Sequence, residues 1–80
     1  MKSTFQRLED VFCTRFGEKY RGTITAETTM DHIPEWDSMT FLDLVVDLEG
    51  AFGVRFRPNE TAQLFKVGLI RKVLASKGCE

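Results

Sequence analysis

Histidine occurs once in the eighty residues, at His32, and cysteine twice, at Cys13 and Cys79. Two cysteines are too few for a disulfide framework, and no Cys/His spacing suits zinc. Both are expected as free thiols in a reducing compartment. Cys79, one residue from the end, would link molecules only as an artefact of oxidation. No D-x-D-x-D-G loop is present, which removes an EF-hand calcium site. Long apolar runs are absent too: Asp43, Asp47 and Glu49 interrupt the longest, so no membrane span is expected. Met1-Lys2-Ser3-Thr4 leads straight into a patterned helix rather than a cleavable apolar segment, and the expected location is the cytoplasm.

Basic residues are missing from one stretch. Asp31 to Gly53 holds Asp31, Glu35, Asp37, Asp43, Asp47 and Glu49 with no Lys or Arg. Arg55, Arg57, Lys66, Arg71, Lys72 and Lys77 follow. An acidic middle and a basic tail imply a polarised surface rather than a nucleic-acid binder.

What is present is helical pattern. Ser3 and Gln6 have the S-x-x-Q spacing of a capping box. Phe5, Leu8, Val11, Phe12 and Phe16 then recur at steps of three and four, predicting a first helix over 4–16 with Gly17 as its stop. Residues 17–36 read as a long loop anchored by Ile24, Met30 and Ile33. A short strand at 23–25 is the alternative, although no second strand offers to pair with it. A second helix is expected over 38–51, capped by Asp37 or Ser38 and followed by Gly53. Pro58 introduces a short third helix near 59–64, with Asn59 as its cap. Val67, Ile70, Val73 and Leu74 define a fourth over 67–77. The expected fold is all-α: one domain, a small irregular four-helix bundle with a long first loop and a short third helix.

The second helix carries two apolar stripes. Phe41, Leu44, Val45, Leu48 and Phe52 face a core, while Met39, Leu42 and Val46 lie on an adjoining face beside Asp43, Asp47 and Glu49. Either the 17–36 loop covers the second stripe or it faces a partner. Ser38 opens this helix. A serine nucleophile needs a base within reach, and neither the distant His32 nor any glycine-elbow motif supplies the parts of a hydrolase. Asp43 and Asp47 have the look of a carboxylate pair, but no pocket of useful size is expected in so short a chain. At a helix N-terminus a serine is better placed as an acceptor of a phosphoester, which would meet free amides and the positive end of the dipole.

Asp37-Ser38-Met39, the apolar-acidic helix through Leu48-Glu49 and the closing Phe52-Gly53-Val54 resemble the attachment region of acyl carrier proteins. Val67-Gly68 is similar to that family's Val-Gly step, and Trp36-Asp37-Ser38 is similar to the form found in carriers of specialised pathways. The likeness covers 36–74 well and the first helix loosely. It implies a monomeric, non-enzymatic carrier with a 4′-phosphopantetheine arm on Ser38, installed by a phosphopantetheinyl transferase. Asp37 would help position the serine and the transferase's metal-bound substrate. Met39, Leu42 and Val46 would form the apolar contact strip, with Asp43, Asp47 and Glu49 meeting basic partners. Thr40, Gly50, Arg55, Arg57 and Lys66 depart from the housekeeping pattern. They point towards an acyl- or amino acid-activating ligase and a downstream transferase or synthase as partners. An aminoacyl carrier is one form of this reading. An unmodified helical adaptor docking through the second stripe is the alternative from another class.

Overall fold

The computed structural model describes residues 3–78, so Cys79 and the Met1-Lys2 start lie outside the described residues. Four α-helices and no named strand occur among them: α1 (Thr4–Phe16), α2 (Ser38–Phe52), α3 (Pro58–Thr61) and α4 (Val67–Ser76). The small helical bundle is as expected. The first helix has the expected bounds, and the reciprocal Ser3–Gln6 bonds close its capping box. α2 runs one residue beyond the expected end. Gly53, at φ 65°, then turns the chain through the left-handed region that a side chain disfavours, and its N–H caps the Glu49 carbonyl. Two expectations are corrected at α3. Arg57, not Asn59, is the cap, and Pro58 is the first helical residue, where its missing N–H costs nothing.

The 17–36 segment is not a plain loop. Two 3-10 turns, Glu18–Tyr20 and Met30–His32, stiffen it, and it sends Ile24, Ile33 and Trp36 into the core. There they join Leu8, Phe12 and Phe16 of α1, Leu44, Val45, Leu48 and Phe52 of α2, and Val67, Ile70, Val73 and Leu74 of α4. The 23–25 stretch forms no strand; among the described residues the one β-bridge pairs Thr29 with Lys66.

That bridge brings the segment onto α4. Lys66 is the N-cap residue of α4 but makes no side-chain capping bond. Backbone carbonyls replace it: Val67 N donates to Thr28 O and Gly68 N to Ala26 O, each at 2.9 Å. The free amides of a helix start are thus met by a segment forty residues upstream. Such close approach requires glycine at 68, since a Cβ there would lie 2.9 Å from Ala26 O. Gly68→Ala is expected to destabilise by about 1–3 kcal/mol from this overlap, less up to about 1 kcal/mol regained by replacing a helical glycine. Denaturant midpoints measure it. An unchanged midpoint would mean that residues 26–28 move aside freely.

Candidate functional site

Residues 35–40 form a tightly bonded corner. Asp37 is the N-cap of α2, and its Oδ1 accepts from Met39 N at 2.9 Å and Thr40 N at 3.0 Å. Thr40 answers by accepting from Asp37 N at 2.9 Å and donating to Glu35 O at 2.6 Å. One hydroxyl thereby closes the capping box and holds the chain entering the helix. A carboxylate at position 40 would accept the first bond but could not donate the second. The amides of Thr40 and Met39 hold the Asp37 carboxyl below its ordinary range.

Ser38 is the first residue of α2, and it is exposed. One expectation about it needs correction. Because Asp37 already occupies the amides of Met39 and Thr40, a phosphoester on Ser38 would not find them free, and a carboxylate would stand beside it. The helix start presents an accessible hydroxyl next to an ionised acid rather than a vacant anion site. His32 does not approach this hydroxyl as a base: its Nδ1 accepts from Thr29 N at 3.0 Å, and no hydrogen bond joins it to Ser38.

The outer face of α2 is open. Met39, Leu42 and Val46 are 83%, 64% and 65% exposed, so the 17–36 segment does not cover them. The three acids beside them differ in what they do. Arg15 of α1 binds Asp47 through both of its forks, Nε to Oδ2 at 2.6 Å and Nη2 to Oδ1 at 3.0 Å. Glu49 accepts from Phe56 N at 2.8 Å and so ties the end of α2 to the following chain. Asp43 is exposed and has no ion pair among the described residues. Asp47 and Glu49 thus have structural duties inside the fold, whereas Asp43 is available beside the strip.

Side chains that the motif reading passed over support the corner from the loop. Lys19 Nζ lies 2.9 Å from Glu35 Oε2, and the Tyr20 hydroxyl donates to Glu35 Oε1. Lys19 first, and then Tyr20, depress the Glu35 carboxyl to about 2. A depressed carboxyl contributes stability that is complete above its unfolded value, near 4.5, and is lost as pH falls towards about 2. Glu35→Gln is therefore expected to melt below wild type near neutrality. The gap should close as pH falls through that window, which thermal melts across the pH series would detect. A gap independent of pH would rule out the ionised contact.

The surface carries two depressions, both open to solvent. A depression of about 630 Å³ is lined by Lys19, Tyr20, Thr25, Thr28, His32 and Ile33, among others. A second, of about 400 Å³, lies between α1 and α2 at Val11, Val46, Asp47 and Ala51. Asp47 lines this second depression and Asp43 does not. No group of three or more metal-ligating side chains occurs among the described residues, and no described helix is long and apolar enough to cross a membrane.

Trp36 is 1% exposed and sits among aromatic rings. Its centroid lies 5.0 Å from Phe12, edge-on, and 6.3 Å from Phe16. The residue before Asp37-Ser38 is therefore a core anchor that sets where the corner stands. Its burial was not read from the sequence, because it falls in a segment without period. No family model matches the chain, and comparison with curated proteins and with solved structures returns no match.

Proposed function

We propose that this protein is a carrier whose Ser38 bears a 4′-phosphopantetheine arm and presents an acyl or aminoacyl cargo to partner enzymes. One observation carries the reading: an accessible serine follows an acidic cap at the start of a helix whose outer face leaves three large apolar side chains in solvent. The residues fit the group, for the hydroxyl is unencumbered and the corner behind it is held by Asp37, Thr40, Glu35 and Trp36. When bound, the arm supplies a thiol that carries cargo as a thioester.

In the loading step the Ser38 oxygen bonds to the pantetheine-bearing phosphorus of coenzyme A. The pyrophosphate linkage breaks, 3′,5′-ADP leaves with the bonding pair, and the hydroxyl proton passes to the transferase. Asp37, kept ionised by its amide bonds, stands next to the reacting oxygen, where it can meet the transferase's metal-bound substrate. Met39, Leu42 and Val46 provide apolar contact for partners, and Asp43 is the carboxylate beside them that can pair with a basic group. The partners on this reading are a phosphopantetheinyl transferase, an acyl- or amino acid-activating ligase, and a downstream transferase or synthase.

Intact mass after incubation with coenzyme A and a phosphopantetheinyl transferase tests it. The expected result is one added arm, located on the peptide containing Ser38. An unchanged mass with an active transferase overturns the reading.

A further inference from the structure

The 17–36 segment lines the open depression of about 630 Å³, a volume within the roughly 300–1,000 Å³ of small-ligand sites. Its hydrogen-bonding groups are biased. Thr28 Oγ1 accepts from Thr25 N at 2.9 Å and Thr25 Oγ1 accepts from Glu27 N at 3.2 Å, so both hydroxyl hydrogens are left to donate. His32 Nδ1 accepts from Thr29 N, which places the proton of the neutral ring on Nε2. Lys19 uses one of its three hydrogens on Glu35. One carboxylate, Glu27, belongs to the lining itself, paired with Lys66 at 3.1 Å and otherwise facing solvent, while Glu35 is engaged by Lys19 and Tyr20. Apart from Glu27, these lining groups offer donors and suit a ligand rich in carbonyl oxygens. A plain alkyl chain would leave the hydrogen of the buried Thr28 hydroxyl without an acceptor.

The depression is also within reach of Ser38 along the chain. Its wall residues Lys19 and Tyr20 bond to Glu35, three positions before the serine, and Ile33 on its lining is five positions before it. Five residues span at most ~18 Å even when fully extended. From Ser38 Oγ to the thiol an arm has about fourteen bonds, which at the ~1.2 Å per bond of extended backbone reach ~17 Å. The intervening chain includes the turn Trp36 N to Ile33 O, so the true separation is shorter than its limit.

We infer that this open depression along the loop is a resting site for the arm on Ser38. Thr25, Thr28, His32 and Lys19 donate to its amide and thioester carbonyls, which favours polar acyl or aminoacyl cargo. The inference rests on the carrier reading. It assigns the loop depression, rather than the bundle core packed with Trp36, Phe12 and Phe16, as the place where the arm rests.

The test uses ¹⁵N-labelled full-length protein before and after the arm is installed from coenzyme A, with intact mass confirming conversion. Expected are amide shift changes at Thr25, Thr28, His32 and Ile33 well above the chain-wide mean, and nuclear Overhauser contacts from the arm's geminal methyls to the Thr28 and Ile33 methyls. Thr25→Val, which removes one donor at an exposed position, should shrink those loop shifts while still accepting the arm. Complete conversion with shifts confined to residues 36–42, or moved to core residues of α2 and α4, overturns the resting site and leaves the carrier reading intact. No conversion overturns both.

Discussion

Ser38→Ala is expected to fold as wild type does and to gain no mass when incubated with coenzyme A and a phosphopantetheinyl transferase. The fold should be indifferent because the Ser38 side chain is exposed and makes no hydrogen bond among the described residues. The cap belongs to Asp37 and the reciprocal bond to Thr40, both untouched by the change. Alanine is moreover the best helix former at an exposed helical position. Circular dichroism and a thermal melt should superimpose on wild type, and loading should fall from complete to none. Mass retained in Ser38→Ala would place any modification elsewhere and overturn the assignment. The same variant separates the carrier from an unmodified adaptor docking through Met39, Leu42 and Val46: an adaptor would bind its partner equally well without the hydroxyl. A hydrolase would instead lose ester cleavage when His32 is replaced, although the ring is bonded to Thr29 rather than to Ser38.

Trp36→Ala is expected to cost about 3–5 kcal/mol, the range for deleting a large buried aromatic. A chain of eighty residues has a total stability of roughly 4–12 kcal/mol, so this one change removes a large share of it. The thermal midpoint should fall by at least about 12 °C. The loss has two parts. The ring packs against Phe12 and Phe16, and the cavity left behind would open where α1 meets the 17–36 segment. The corner at Glu35–Thr40 would then lose the anchor that fixes its position on the bundle. Trp36→Phe should cost much less, because the indole Nε1 has no acceptor among the described residues and so no hydrogen bond is forfeited. Denaturant melts followed by circular dichroism measure both variants. Equal losses for the two would show that the indole nitrogen, not ring volume, holds the site.

These two residues, two positions apart, illustrate how differently the sequence and the fold speak. Ser38 was legible because its neighbours are local: an acid before it, a helix-period pattern after it and a glycine stop at Gly53. The same local logic placed α1 with its Ser3–Gln6 box, and it separated the Leu44–Leu48 core stripe from Met39, Leu42 and Val46. Trp36 was read only as part of a motif, since no periodicity surrounds it to reveal which side it faces. Whether the second stripe was covered depended on where a twenty-residue segment lies, and spacing along one helix carries no information about that.

The acids show the limit most directly. Asp43, Asp47 and Glu49 are equivalent in composition and nearly so in register. Yet one is exposed without an ion pair, one grips Arg15 across thirty-two positions, and one bonds the Phe56 amide. Lys66 poses the same problem in reverse. Its side chain offers no cap, and the cap comes from carbonyls at Ala26 and Thr28 that approach only because residue 68 is glycine. The positions of α1, α2 and α4, the core stripe and the serine that opens α2 follow from the sequence by itself, because hydrophobic period and capping act within a few residues. The cap of α4, the burial of Trp36 and the duties of the acids were decided only in the tertiary structure. Each depends on groups far apart in the chain, and only folding brings those within hydrogen-bonding or packing distance.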